Sequence, residues 1–173
     1  MKNVTLWQFS GFAVTALLGT LLHFLYDWTG QNVFAALVSG VNESTWEHMK
    51  LLYFPLLLFA LVQQRFFYSC KSFWCIKLVG FLTGLLLIPL LFYTYNGAIG
   101  KSPDWLNISF FFISAAAAFL VEAHLFRHCS QRCRFSSVCL FAILAIGALF
   151  IIFTFMPPRI PLFQDPITDG YGI

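Results

Sequence analysis

The sequence predicts an all-α membrane protein, a bundle of five transmembrane helices that forms a single domain over residues 1–173. Composition is the first observation behind this prediction. The chain is 60% hydrophobic and only 10% charged, whereas soluble domains carry about 25% charged residues. A soluble fold of this size would need more polar surface than these residues supply. The second observation is that the apolar runs are continuous rather than alternating, which argues against a transmembrane β-barrel.

Segments long enough to cross a bilayer, which takes about 20 residues, recur along the chain. We place the spans at about 5–28, 44–64, 73–95, 105–126 and 137–156. A cleaved signal peptide is the alternative for the first segment, but the run is long for one and no A-x-A site follows it. Residues 31–40 are apolar but too short to span, which predicts an interfacial or re-entrant segment between the first two helices.

Basic residues give the predicted orientation. One side of the bundle collects most of them: Lys2, Arg65, Lys71, Lys77, Arg127, Arg132 and Arg134. The positive-inside rule then puts the N-terminus in the cytoplasm and the C-terminal tail, residues 157–173, outside. Because the basic residues lie at helix ends instead of forming one patch, the net charge of +3 does not predict nucleic-acid binding.

All cysteines fall at or near the predicted cytoplasmic side: Cys70, Cys75, Cys129, Cys133 and Cys139. Thiols in the cytoplasm stay reduced, so we expect structural or incidental thiols here. A thiolate zinc site is the alternative. The spacings are not the C-x-x-C pairs of good zinc sites, which weighs against it.

The most polar stretch of the chain, residues 41–50 (VNESTWEHMK), stands at the predicted outer mouth of the second span. Ser44 and Glu47 fit the S-x-x-E capping box, which makes Ser44 the predicted N-cap. The helix dipole also favours acidic residues at this position, and Lys50 can neutralise Glu47 from i+3. Helix capping therefore explains part of the polar stretch, but not all of it.

The predicted outer ends of the first two helices carry the candidate ligand-binding residues. They are His23, Asp27, Asn42, Glu43, Glu47 and His48. Ionisable groups within spans are costly and indicate function, although a lone histidine on an apolar face is more often a hydrogen-bonded core residue. Mixed nitrogen and oxygen donors suit a divalent cation such as Zn²⁺. The candidate metal ligands are His23, Asp27, Glu47 and His48.

These residues predict an outward-facing polar pocket that binds a cation or a small polar ligand. Carboxylates and histidines can take up protons or cations in a receptor or a transporter. No inverted repeat is visible to support transport, although a homodimer could supply one. One alternative is a membrane-embedded metal-dependent hydrolase, but the chain has no H-E-x-x-H motif and no separate nucleophile. The other is a structural or assembly subunit without a ligand.

A secondary polar group, Glu122 and His124, lies toward the predicted cytoplasmic end of the fourth span. A carboxylate in a span needs a partner. We expect Glu122 to be paired within the bundle, for instance with Lys77. A proton relay is the alternative.

Three segments carry a resemblance to a known family: HFLYDW at 23–28, NESTWEHMK at 42–50, and the C-terminal stretch from PLF at 161–163 to TDGYGI at 168–173. With these segments the chain resembles a bacterial family of small integral membrane proteins of unknown function. The resemblance implies a multi-pass protein of the bacterial inner membrane with the bilayer as its partner, and it implies no catalytic residues. Apolar residues among the turn residues of the tail lead us to expect that the tail folds back over residues 42–50 as a lid.

Overall fold

The computed structural model describes residues 3–129 and 133–173. Over these ranges the protein is all-helical, without β-strands, which confirms the predicted fold class. The helices are α1 (Val4–Trp28), α2 (Val33–Ala36), α3 (Thr45–Phe66), α4 (Phe73–Ala98), α5 (Asp104–Arg127) and α6 (Ser136–Phe155), followed by a 3₁₀ turn at Pro161–Phe163. The five long helices lie close to the bounds expected from the apolar segments.

Helices α1, α4, α5 and α6 are each long and apolar enough to cross a membrane. Their outward faces expose large apolar side chains, such as Phe9 at 68% and Phe141 at 70% of their full surface. Apolar surface of this extent suits lipid tails better than water. These four helices therefore give the chain the character of a membrane protein.

Helix α3 is the central helix, because it packs against α1, α4, α5, α6 and the 3₁₀ turn. Its 22 residues correspond to about 33 Å of helix. The side chains of Leu52, Tyr53 and Leu56 are fully buried along its length. It differs from the other long helices in its first turns, which hold the charged residues of the polar stretch.

The long helices alternate in direction, which gathers chemically different residues at the two ends of the bundle. The polar end holds residues 41–50, the C-termini of α1, α4 and α6, and the start of α5. The opposite end, here the cysteine end, holds the starts of α1, α4 and α6. There Arg127 Nη2, at the end of α5, donates to Thr5 Oγ1, at the start of α1, at 3.0 Å. The contact shows that α1 and α5 run antiparallel.

Disulfide bonds at the cysteine end join the connection before α4, and the start of α4 itself, to the connection between α5 and α6. Cys70 pairs with Cys129 and Cys75 pairs with Cys133, while Cys139 in α6 is free. The expectation of unpaired thiols is therefore wrong for four of the five cysteines. The partners are 59 and 58 residues apart in sequence, so only the antiparallel packing of the helices brings them together.

At the polar end, the segments outside the long helices fold against α3. Residues 31–40 contain the single helical turn α2, which begins where Asn32 Oδ1 accepts from the Phe34 amide at 2.8 Å. In the tail, Phe163 is buried and its ring lies 4.7 Å from that of Trp46. Residue Asn42 Nδ2 donates to the Gly172 carbonyl at 3.0 Å. The tail thus folds back over the polar stretch, as we expected.

Candidate cation site at the polar end

A cavity of about 400 Å³ opens at the polar end, which lies within the size range of small-ligand sites. Its walls come from α1, the turn before α3 and the start of α3, the C-terminal part of α4, the connection from α4 to α5, the start of α5, and the tail. Its lining residues are His23, Glu43, Thr45, His48, Ile88, Phe92, Asn96, Lys101, Ser102, Asp104, Asn107, Ile108, Phe110, Phe111, Pro166 and Ile167. Ionisable groups therefore face an otherwise largely apolar wall.

Three side chains with metal-binding atoms meet in this cavity: His23, Glu43 and His48. Nε2 of His23 lies 3.5 Å from Oε1 of Glu43, and Nε2 of His48 lies 3.5 Å from Oε2 of the same carboxylate. One donor atom from each residue lies within 4.8 Å of the others. We call these residues the His–Glu–His group. Two nitrogen donors and one carboxylate are a donor set that Zn²⁺ accepts.

A backbone contact determines which nitrogen of His48 faces Glu43. Nδ1 of His48 lies 3.0 Å from the Ser44 carbonyl oxygen. A carbonyl oxygen only accepts hydrogen bonds, so Nδ1 must carry the proton. In the neutral ring, Nε2 then presents its lone pair toward Glu43. Metal-ligating histidines are held in the same way, by a second hydrogen bond that fixes the ring and its tautomer.

The loop that carries Glu43 is held from both sides. Asn42 Oδ1 accepts from the Ser44 amide at 2.9 Å, and Asn42 Nδ2 donates to Gly172 O at 3.0 Å. The hydroxyl of Ser44 accepts from the Glu47 amide at 3.4 Å, which makes Ser44 the N-cap as predicted. Glu43 therefore projects from a short turn anchored to both the helix and the tail.

Glu47, an expected metal ligand, has a different position. Its carboxylate is only 2% exposed and forms an ion pair with Lys50. Its remaining contacts are the Thr154 hydroxyl at 3.0 Å and the Val41 amide at 3.2 Å. Lys50 also donates to the Ala36 carbonyl at 2.9 Å and to Thr154 Oγ1 at 2.8 Å. Both oxygens of Glu47 are therefore engaged by protein groups, and they tie α3 to α6.

Asp27, the other expected carboxylate ligand, is exposed and lies outside the His–Glu–His group. It shares a helix face with His23 but lies about 6 Å farther along the axis, beyond the cavity wall. The structure therefore brings together His23 and His48 from the expected metal set and supplies Glu43 in place of the two expected carboxylates. The sequence held one indication that Glu43 and Glu47 differ. The predicted N-cap at Ser44 places Glu43 just outside the helix and Glu47 within its first turn.

A family model described as "Family of unknown function (DUF6512)" matches residues 1–173. The chain belongs to this family. The match confirms the resemblance of the sequence to a family without an assigned activity. No curated protein and no solved structure matches this DUF6512 chain.

The secondary candidates of the DUF6512 chain lie elsewhere and do not form one site. Glu122 is fully buried, and its Oε2 lies 2.7 Å from Lys77 Nζ, which confirms the expected pairing within the bundle. Lys77 also donates to Gln63 Oε1 at 3.2 Å. In contrast, His124 is exposed, and its ring lies 4.8 Å from that of His128. Lys77 is therefore part of the buried interior rather than a topology signal at the surface.

The end of α4, the connection that follows it and the start of α5 contribute further polar residues to the cavity, and none of them is among the candidate ligands named from the sequence. Asn96 Oδ1 accepts from the Ser102 amide at 2.9 Å, and the Ser102 hydroxyl donates to Asn107 Oδ1 at 2.6 Å. This network fixes the wall on which Lys101 and Asp104 lie. Asn96 and Gly97 are typical turn residues and predict a loop after Tyr95, whereas in the structure α4 continues to Ala98 and Asn96 contacts Ser102.

Proposed function

We propose that this DUF6512 chain is a multi-pass membrane protein that binds a divalent cation, with Zn²⁺ as the best match, in an outward-facing pocket. The convergence of His23, Glu43 and His48 on one cavity carries this proposal. Three protein ligands with the next position open to a cavity are typical of zinc sites that also hold water or a small ligand. The metal would then anchor a small polar ligand inside the cavity.

The proposed topology has five spans, with the N-terminus inside and the C-terminus outside. Helix α3 supports the fifth span because it matches the other long helices in length and packs among them. Its charged side chains at the polar end, Glu47 and Lys50, neutralise each other within the protein, which lowers the cost of burying them. The positive-inside rule puts the cysteine end in the cytoplasm. That end carries the exposed Arg65, Lys71, Arg127 and Arg134.

The cavity at the polar end then opens away from the cytoplasm. We propose the bacterial inner membrane as the location of the protein, a proposal that the family resemblance supports. A cation reaching the His–Glu–His group would come from the outer side. The tail, which supplies Pro166 and Ile167 to the wall, would have to remain folded for the cavity to keep its shape.

Zinc titration of the full chain tests the proposal. The protein is purified in detergent, stripped of metal and titrated in a calorimeter. We expect one zinc per chain, with affinity lowered about 10- to 100-fold or more in His23→Ala, Glu43→Gln and His48→Ala. Asp27→Asn is the matched control near the cavity, and His124→Ala is the control at the cysteine end. Both should bind as the parent does. Absence of zinc binding by the parent, or equal losses in Glu43→Gln and Asp27→Asn, would contradict the proposal.

A metal-dependent hydrolase is the second candidate function, favoured because the His–Glu–His group borders a cavity in which a metal held there would keep a position for water. A zinc-bound water in that position could attack an ester or amide bond. Asp104 also lines the cavity, outside the His–Glu–His group, and is the candidate base. The zinc-loaded protein should then hydrolyse a lipid ester or a peptide. Asp104→Asn should lower turnover while zinc affinity stays unchanged. Binding of zinc without turnover of either substrate class would leave the first candidate alone.

A further inference from the structure

Three cysteine sulfurs meet at the cysteine end, far from the cation site. Cys75, at the start of α4, is disulfide-bonded to Cys133 in the segment before α6. The free thiol of Cys139, in the first turn of α6, lies with its sulfur 3.2 Å from Sγ of Cys75. All three residues are half-buried, and one sulfur from each lies within 4.8 Å of the others. A free thiol is thus in direct contact with one sulfur of a disulfide.

This contact has a definite chemical consequence. Disulfides exchange when a thiolate attacks one of their sulfurs, and the rate depends on access of the attacking thiol to that sulfur. Cys139 already has this access to Cys75. The second disulfide, Cys70–Cys129, lies outside the group of sulfurs around Cys75. We expect this bond to stay in place, so it serves as an internal reference.

The location adds a second reason to expect a reactive bond. Under the proposed topology the cysteine end faces the cytoplasm, where disulfides are usually transient and belong to catalytic or redox-sensing cysteines. The Cys75–Cys133 bond, with a free thiol in contact with it, fits that description.

We propose that Cys75, Cys133 and Cys139 form a thiol–disulfide exchange centre. The thiolate of Cys139 attacks Sγ of Cys75, so that a Cys75–Cys139 bond forms and the Cys75–Cys133 bond breaks. Cys133 leaves as a thiolate and takes up the proton that Cys139 gave up. The step is an isomerisation, with no net oxidation or reduction, and it needs no further reactant.

The exchange changes how α4 is connected. In the described state, the disulfide ties α4 to the segment before α6, and the Cys133 amide donates to Ser72 Oγ at 2.8 Å. After exchange the disulfide ties α4 directly to α6, and Cys133 becomes the free thiol. The centre therefore has two covalent states that differ in which cysteine is reactive.

Disulfide mapping of the full chain in detergent tests this centre. The protein is quenched in acid, alkylated, digested without reduction and analysed by mass spectrometry. We expect the parent to contain both the Cys75–Cys133 and the Cys75–Cys139 linkages. Cys139→Ser should leave only Cys75–Cys133. All samples are mildly oxidised before the quench. In Cys133→Ser, Cys75 and Cys139 should then be fully joined by a disulfide. Cys70–Cys129 should be present in every sample.

Three results would contradict the proposal of an exchange centre. One is a parent that contains only Cys75–Cys133 with Cys139 fully alkylated. Another is a Cys133→Ser variant in which Cys75 and Cys139 both stay free while the Cys70–Cys129 reference bond shows that the fold is retained. The third is a parent in which all five cysteines are alkylated as free thiols. Because no zinc enters this experiment, its outcome is independent of the proposed cation site.

Discussion

The buried ion pair between Lys77 and Glu122 offers a sharp test of how the bundle is held together. Neither side chain is exposed, and the ammonium and carboxylate are 2.7 Å apart. The ammonium also lies 5.9 Å from the ring centre of Phe59 and 5.5 Å from that of Phe119. Among the described residues, the ammonium of Lys77 donates one other hydrogen bond, to Gln63 Oε1.

These contacts determine what each substitution leaves behind. Glu122→Gln leaves a buried ammonium without a counter-charge, and removing one partner of a buried pair typically costs about 3–5 kcal/mol. Lys77→Met leaves the carboxylate of Glu122 without its cation, and Oε1 of that carboxylate has no hydrogen-bond partner in the part of the chain that the structure describes. We expect a similar loss. Replacing both residues with methionine removes both charges together. The free energy of unfolding of this double variant should lie within about 1–2 kcal/mol of that of the parent.

The free energy of unfolding can be measured by titrating the protein in mixed micelles with a denaturing detergent and following tryptophan fluorescence. The expected coupling energy between Lys77 and Glu122 is about 3 kcal/mol or more. Lys101→Met, at an exposed lysine, is the control and should change stability by about 0.5 kcal/mol or less. If the double variant loses the sum of the two single losses, the two residues do not act as a pair and the packing described for α4 and α5 is refuted.

Three further substitutions test other contacts. Gly80→Ala would place a methyl group against the Glu122 carboxylate, so we expect a loss of about 1–3 kcal/mol in the same unfolding assay. Thr154→Val removes the hydroxyl that accepts from Lys50 at 2.8 Å and should cost about 1–3 kcal/mol; an unchanged midpoint would contradict the role of this hydroxyl. Asn42→Ala removes the bond to Gly172, so limited proteolysis should cut residues 157–173 faster than in the parent, and zinc affinity should fall by about tenfold. Equal cleavage rates would show that the tail is held by other contacts.

The helices could be read from the sequence because apolar length is a strong signal in this chain. Each long run between polar residues became a helix, and Pro55 and Pro89 lie within helices, as expected. The N-cap at Ser44 was predictable for a local reason, since its side chain and the Glu47 amide are only three residues apart. Local chemistry and apolar length together account for nearly all of the helix boundaries.

The site could be predicted only in part, because its geometry depends on contacts between distant segments. Glu43 and Glu47 are four residues apart and look equivalent in sequence. The structure separates them because Thr154, 107 residues away, meets the carboxylate of Glu47 in the interior. Glu43, outside the helix, is left to face the histidines. No local sequence pattern predicts that distinction, and none predicts which cysteines pair at the cysteine end.

The bundle therefore separates two kinds of chemistry along its length. Nitrogen and oxygen donors gather at the polar end, where a borderline cation such as Zn²⁺ would bind, and sulfur gathers at the cysteine end. The buried charges of α3, α4 and α5 are paired: Glu47 with Lys50 at the polar end, and Lys77 with Glu122 toward the cysteine end. The exposed basic residues of the cysteine end favour a cytoplasmic location, whereas disulfides usually indicate an oxidising one. Exchange moves a bond from Cys75–Cys133 to Cys75–Cys139 without changing the number of disulfides, so the redox poise at this end still decides whether the bonds persist. The proposed orientation, with the His–Glu–His group facing outward, therefore rests on the charge pattern.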